Sequence, residues 1–111
     1  MALAVVQSTL KGNNTGTTVT TDAITVTAGN LLVVFWTCES GVTLNSLTSS
    51  VGDSFTQFGS EISGAPGVLR CSYAASAVGG STTFTLTTGS AFRKAVVAVE
   101  ISGAHTSPED K

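Results

Sequence analysis

Charged side chains are scarce in this chain of 111 residues, and their scarcity argues against several classes of protein. Asp, Glu, Lys and Arg make up 11% of the residues, whereas an ordinary soluble domain has about 25%. The five basic residues are scattered, with only Arg93 and Lys94 adjacent. Because nucleic-acid binding needs a basic face that neutralises several phosphates, we predict no nucleic-acid partner. Low charge instead favours close packing against other protein surfaces.

Long hydrophobic runs are absent as well. The longest uncharged apolar run, residues 31–36, is far shorter than the roughly 20 residues that a membrane-spanning helix needs. The N-terminal sequence MALAVVQSTLKG has no basic residue before its short apolar stretch, which does not fit a secretory signal. We therefore predict no membrane partner. We expect either synthesis in the cytoplasm or a chain from which a signal has been removed.

The residues that commonly carry catalysis and metal binding are also few. His105 is the only histidine, and a metal site or a catalytic triad would need several partners around it. The sequence contains no GxSxG, P-loop or dinucleotide-binding motif. Asp22 and Asp53 lie beside predicted turns, where short acids accept hydrogen bonds from backbone amides. We predict that the chain is not an enzyme and that it holds no metal and no cofactor.

Covalent links within the chain would involve its two cysteines or the lysines Lys11 and Lys94. Cys38 and Cys71 are too few for a disulfide framework, and one bridge between them is the alternative to two reduced thiols. Reduced thiols are the usual state in a protein made in the cytoplasm. Lys94 lies on the more polar face of its strand beside Arg93, so we expect a solvated ammonium there. We expect no isopeptide bond from Lys94 or Lys11 to an asparagine or aspartate.

Threonine, valine and regularly spaced turn residues are abundant, and this composition is typical of an all-β domain. Apolar residues alternate with threonines at Ile24 and Val26, and again at Phe84 and Leu86. We predict a two-sheet antiparallel sandwich of about eight strands, immunoglobulin-like or jelly-roll, over residues 1–103, with a polar tail at 104–111. The predicted strands cover residues 3–9, 17–21, 23–27, 31–38, 43–49, 54–58, 68–75, 82–87 and 92–102, of which the second and third can also form one bent strand.

Two segments carry more apolar residues than one buried face requires. Residues 31–36 are apolar on both faces. The last strand places Ala95, Val97, Val99 and Ile101 on one face and Lys94, Val96, Ala98 and Glu100 on the other. A sandwich buries only the inner face of each sheet, so the surplus apolar surface predicts contact with another subunit. We place this contact near Phe35, Trp36, Val96 and Ala98, and we expect Val96→Asp to weaken assembly without unfolding the chain.

Much of the chain resembles a known pattern. The pattern begins with TAGNLLVVFWTCESGVTLNSLTSSVGDSFTQF at residues 27–58 and continues with VLRCSYAASAVGGSTTFTLT and then AVVAVEISG. It is similar to small β-sandwich domains of tailed-phage virion proteins and bacterial surface proteins. The resemblance covers nearly the whole chain and implies an immunoglobulin-like or jelly-roll sandwich used for assembly or adhesion, without catalytic residues. Such domains usually show DSAGN where this chain has SVGDS at residues 50–54, so the resemblance supports no ion or ligand role for that turn.

These observations together predict a non-enzymatic structural protein of a virion, made in the host cytoplasm. The expected role is a capsid decoration (cement) or accessory subunit that packs on copies of itself or on a capsid or tail protein. The alternative is a carbohydrate- or receptor-binding module at a phage or bacterial cell surface. Trp36, Phe58 and Tyr73 bear on this choice, because buried rings fit a core or an interface, which we favour, and coplanar exposed rings would stack on sugars.

Overall fold

Antiparallel strands make up most of the structure, a computed structural model that describes residues 3–13, 15–39, 44–64, 67–89 and 93–103. Ten strands follow one another: β1 (Ala4–Asn13), β2 (Thr18–Thr20), β3 (Ile24–Val26), β4 (Leu31–Glu39), β5 (Leu44–Ser49), β6 (Thr56–Gly64), β7 (Gly67–Ala74), β8 (Gly80–Thr82), β9 (Phe84–Thr88) and β10 (Lys94–Ser102). The described part of the chain has no helix and so no helical segment able to span a bilayer. The all-β fold class is confirmed, with ten strands in place of about eight.

The strands pair as if one long hairpin had been rolled up. β1 pairs with β10, β2 with β9, β3 with β8 and β4 with β7, so strands equally far from the two ends of the series are matched. Two further pairings, β4 with β10 and β5 with β9, join these strand pairs into larger sheets. The result is a five-stranded sheet in the order β1-β10-β4-β7-β6, a three-stranded sheet β2-β9-β5 and a two-stranded sheet β3-β8. This nested pairing is that of a jelly roll, whereas the first strand of an immunoglobulin sandwich pairs with its sequence neighbour.

The hydrophobic core lies between the inner face of the five-stranded sheet and the smaller sheets. Apolar side chains from both layers are completely buried there, among them Leu32, Val34, Phe84 and Leu86. Phe84 and Leu86 alternate along β9 with partly exposed threonines, as the sequence pattern predicted. Phe55 packs edge-on against Phe84, with 6.3 Å between the ring centroids.

Two loops meet at the start of β4, and a glycine permits their close approach. Gly79 has a φ of +94°, and a Cβ at this position would lie 2.8 Å from the backbone nitrogen of Ala28. Both the conformation and the space therefore require glycine. The neighbouring backbones exchange hydrogen bonds of 2.9 Å, from Gly29 N to Ala77 O and from Ala77 N to Asn30 O. Asn30 is thereby held in place for the buried network described below.

The turn at residues 50–54 is closed by its acid. Asp53 Oδ1 accepts a hydrogen bond of 2.8 Å from the backbone nitrogen of Val78, and Oδ2 accepts one of 2.8 Å from Ser49 Oγ. Asp53 therefore accepts from a backbone amide as expected of a short acid, but the amide is that of Val78 in another loop and not one of its own turn. Asp22 makes a different contact, an exposed ion pair of 3.5 Å with Lys11.

The strands whose extent differs from the sequence prediction include β6 and the strand predicted at residues 82–87. β6 was expected to end at Phe58 but continues to Gly64, because a register shift between Phe58 and Ile62 lets it keep pairing with β7. The predicted strand at 82–87 is divided into β8 and β9 at Thr83, whose backbone nitrogen donates to Ser50 Oγ at 3.0 Å instead of to a neighbouring strand.

Candidate interaction surface

One face of the five-stranded sheet points away from the core, and the pairing register identifies its residues. Directly paired residues of antiparallel strands lie on the same face of a sheet. We call this surface the outer face, and it consists of four rows across the strands: Val5, Ile101 and Leu31; Ser8, Val99, Val33, Tyr73 and Thr56; Leu10, Val97, Phe35, Cys71 and Phe58; Gly12, Ala95, Thr37, Leu69 and Ile62. None of these residues is charged, and the third row is apolar on all five strands.

Much of the outer face is open to solvent in the single chain, although Leu31 in its first row is buried. Leu10 and Ile62 are each 66% exposed, Phe58 is 50% exposed and Phe35 is 42% exposed. A scattered exposed hydrophobic residue is normal in soluble proteins, whereas large apolar side chains on successive strands of one sheet form a continuous patch. The surplus apolar surface expected of β4 and β10 is therefore present, and it extends onto β1, β6 and β7.

Three of the four residues predicted at a subunit contact lie on the inner side of the sheet. Trp36 is 5% exposed, and Val96 and Ala98 are completely buried, so their assignment to an outer surface is wrong. Only Phe35 belongs to the outer face. The two faces of β10 are exchanged relative to the expectation. The core contains the face made of Lys94, Val96, Ala98 and Glu100, and the outer face contains Ala95, Val97, Val99 and Ile101. β10 thus buries both of its charged residues, which is rare for Lys and Glu.

Glu100 is buried because three N–H donors surround its carboxylate. Oε1 accepts hydrogen bonds from the backbone nitrogen of Thr27 at 2.8 Å and from Asn30 Nδ2 at 2.9 Å, and Oε2 accepts one from Gln7 Nε2 at 2.7 Å. Burial raises the pKa of Glu100, but these three hydrogen bonds outweigh burial and hold the pKa below its ordinary value of 4.5. The ionised carboxylate therefore joins β10 to β1 and to the turn between β3 and β4.

Lys94 is also buried, at 4% exposure, near the opposite end of β10. Its Nζ donates to Gly16 O at 2.6 Å, to Asn13 Oδ1 at 3.2 Å and to Thr15 O at 3.4 Å. The expectation of a solvated ammonium is therefore wrong, because oxygens of the segment that follows β1 replace water around it. The absence of an isopeptide bond stays a prediction.

A pair of opposite charges marks one end of the outer face. Beyond its fourth row, Glu39 Oε2 accepts a hydrogen bond of 3.1 Å from Arg93 Nε, and this hydrogen bond lowers the pKa of Glu39. The pair borders an open cleft of about 510 Å³ whose lining includes Ile62 and Leu69. Because the two charges offset each other, this end adds no net charge to the outer face.

The two cysteines lie on opposite sides of the same sheet. Cys38 is buried on the inner face, whereas Cys71 is partly exposed in the third row of the outer face. They form no disulfide. β4 and β7 are neighbours, but side chains that leave opposite faces cannot bring their sulfur atoms together. Burial is the main cause that raises the pKa of both thiols.

Trp36 is an anchor of the core. Its Nε1 donates to Ser72 Oγ at 3.0 Å, and Ser72 is itself buried. The guanidinium carbon of Arg70 lies 5.2 Å from the centroid of the indole ring, within cation–π range. Arg70 Nε also donates to Glu61 at 2.6 Å. The core role favoured for Trp36 is therefore confirmed, and this ring cannot form part of an exposed sugar platform.

Among the residues that the structure describes, no three His, Cys, Asp or Glu side chains are grouped to hold a metal ion. His105 and the predicted tail at 104–111 lie outside the described residues. Comparisons of the chain with protein-family models, with curated proteins and with solved structures found no match. The likeness to phage virion domains therefore depends on the sequence motifs alone.

Proposed function

We propose that the chain is a non-enzymatic structural subunit of a virion, a capsid decoration or accessory protein that is held in place through its outer face. One observation carries the proposal: the outer face combines exposed apolar side chains on neighbouring strands with a complete absence of charge in its four rows. Covering such a surface gains about 25 cal/mol for each Å² of apolar area removed from water. The resemblance to virion β-sandwich domains supplies the biological context.

An apolar contact of this kind has a characteristic dependence on solvent. Salt screens interactions between exposed charges, but it leaves hydrophobic burial intact or strengthens it. We therefore expect the chain to stay on its particle in about 1 M NaCl, where screening acts over roughly 3 Å. Urea weakens apolar burial and should release the chain.

The proposal is tested on particles purified from the organism that encodes the chain. An antibody to the chain should follow the major shell protein through a density gradient at a constant ratio of copies. Val97→Asp, which places a charge in the third row, should be lost from the particles. Thr48→Asp is the matched control, because Thr48 is an exposed strand residue of the three-stranded sheet. Recovery of the wild-type chain only among free proteins would contradict the proposal.

A carbohydrate-binding role is the second candidate, and the placement of three aromatic rings favours it. Phe35, Phe58 and Tyr73 all belong to the outer face, where rings could stack on sugars. Hydroxyl groups of a glycan would find few partners there, since Ser8, Thr37 and Thr56 are the polar aliphatic residues of the four rows. Binding on a glycan array that is lost in Phe58→Ala and kept in Thr48→Asp would support this candidate over the structural one.

A further inference from the structure

The outer face also points to its partner. We propose that it packs on the outer face of a second copy of the chain, across a two-fold axis that lies in the plane of contact close to Phe35. This inference rests on the proposed function, because it uses the same surface and names what covers it. Area, charge and sheet geometry each support a second copy as the occupant.

The area of the outer face is sufficient for a specific dimer. Strands about 4.8 Å apart and residues about 3.4 Å apart give four rows on five strands an extent of roughly 24 by 24 Å. Each copy would therefore cover about 600 Å², and two copies about 1,200 Å². Stable specific interfaces begin at about this size, and most crystal-packing contacts are smaller.

The charge pattern makes the outer face complementary to itself. In a two-fold contact the same surface is present on both sides, so a charge near the axis would meet its own copy, and a charge elsewhere would need an opposite charge at the symmetry-related position. The four rows contain none, and therefore no like charges are brought together and no ion is stripped of water. Glu39 and Arg93, the charged pair beyond the fourth row, already offset each other within one chain.

Sheet geometry places Phe35 at the centre of such a contact. Two sheets pack face to face about 10 Å apart with interdigitating side chains. β4 is the third of five strands, and Phe35 lies in its third row, so a two-fold axis through the middle of the face passes close to it. Val97 and Cys71 flank Phe35 in the same row. Phe35 of one copy then contacts Phe35 of the other, so a substitution at this position changes both sides of the same contact.

Sedimentation velocity tests the inference directly. A wild-type chain of 11.2 kDa should sediment with twice that mass at tens of micromolar, as should Thr48→Asp. Phe35→Asp should sediment as a monomer with an unchanged circular dichroism spectrum, because its side chain is 42% exposed in the single chain. If Phe35→Asp fails to fold, Leu10→Asp replaces it, since Leu10 is 66% exposed. A monomeric wild-type chain, or a folded variant that stays dimeric, would overturn the inference.

The cysteines provide a second readout in the unmodified chain. Cys71 in the third row should be covered in the dimer, so its labelling by a maleimide should slow at least several-fold as protein concentration rises. In Phe35→Asp the labelling rate of Cys71 should be independent of concentration. Cys38 on the inner face reports unfolding and should label slowly throughout. Equal labelling of Cys71 in dilute and concentrated wild-type protein would contradict a contact through this face.

The dimer and the virion role fail in different ways. A chain that is monomeric in solution, yet present in particles with Cys71 protected from the maleimide, overturns the second copy as partner and leaves the structural role standing. A chain that dimerises through Phe35, yet is absent from particles, supports the dimer and overturns the virion role.

Discussion

Replacing Glu100 by glutamine tests whether the buried carboxylate holds the jelly roll together. The side chain keeps its shape, but one of its two acceptor oxygens becomes an N–H donor. In the native chain Oε1 accepts from Thr27 and Asn30, and Oε2 accepts from Gln7. A glutamine can serve the first two donors with its carbonyl oxygen, but its amide nitrogen then faces the amide nitrogen of Gln7.

Gln7 cannot relieve this conflict by rotating its own amide. Its Nε2 also donates a hydrogen bond of 2.5 Å to the backbone oxygen of Thr25. Rotation would replace that donor by an oxygen, so two acceptors would face each other at Thr25. The Glu100→Gln variant therefore has two facing donors at a part-buried contact in one orientation of Gln7, and two facing acceptors at the exposed Thr25 contact in the other.

The expected loss of stability follows from this mismatch. A hydrogen bond to a charged group contributes about 1.5–3 kcal/mol, and an unsatisfied buried donor costs about 1–3 kcal/mol. Removal of a full buried charge offsets part of this loss. We expect Glu100→Gln to lower the free energy of unfolding by about 2–4 kcal/mol, which is a large share of the roughly 5–15 kcal/mol typical of a domain. The melting temperature should fall by roughly 10 °C.

Urea unfolding followed by tryptophan fluorescence measures this change. Trp36 is the only tryptophan and is 5% exposed, so its emission reports loss of the core. Glu39→Gln is the matched control, because Glu39 lies at the end of the sheet and pairs with an exposed arginine. The control should leave the unfolding midpoint nearly unchanged. A loss in Glu100→Gln below about 0.5 kcal/mol would refute the reasoning, since the three hydrogen bonds would then contribute no net stability.

The pH dependence of stability tests whether the charge of Glu100 is the source of its stabilising effect. The pKa of Glu100 lies lower in the folded chain than its ordinary value of 4.5, so its contribution is complete above that value and is lost as the pH falls through the folded pKa. The stability difference between wild type and Glu100→Gln should therefore be constant near neutral pH and shrink below about pH 4. A difference that stays constant into strong acid would show that the charge is not its source.

The remaining predictions concern both faces of the sheet. Val96→Asp should unfold the chain, because it buries an unpaired carboxylate, whereas Val97→Asp on the outer face should cost about 1 kcal/mol and leave the circular dichroism spectrum intact. Ser72→Ala should cost about 1–3 kcal/mol by removing the acceptor of the Trp36 indole, measured by urea unfolding. The intact mass should equal the sequence mass, and a mass lighter by one ammonia would reveal an isopeptide bond at Lys94.

The fold class is predictable from the sequence because alternation is a local property. Phe84 and Leu86 alternate with threonines, and a strand with this pattern buries its apolar side in whichever sheet it enters. The orientation of β10 is not local. It depends on donors from Gln7, Thr27 and Asn30 that meet Glu100 only in the folded chain, at sequence separations of 70 residues or more. Sequence alternation alone therefore favoured the wrong side as the core.

The full extent of the outer face could not be predicted from the sequence either. Leu10 and Ile62 lie beyond the ends of the strands predicted at 3–9 and 54–58, because the residues around them have the glycine and polar content of turns. Pairing with β10 extends β1 through Leu10, and the bulge in β6 returns Ile62 to the outer face. Both effects are tertiary, since a neighbouring strand supplies the hydrogen bonds that the local sequence does not favour.

The distribution of charge on β10 reverses that of an ordinary surface strand. Its two charged residues, Lys94 and Glu100, are buried, and the outward positions between them are apolar. For a chain that acts alone, the opposite orientation would hydrate both charges and bury more apolar area. The observed arrangement is intelligible when the outer face is itself covered, because the sheet then has a protein interior on both sides. Buried charge is tolerable only where hydrogen-bond partners converge, and the turns that supply them lie on the inner side. The apolar side is thus left for a partner, as both the structural role and the two-fold contact require.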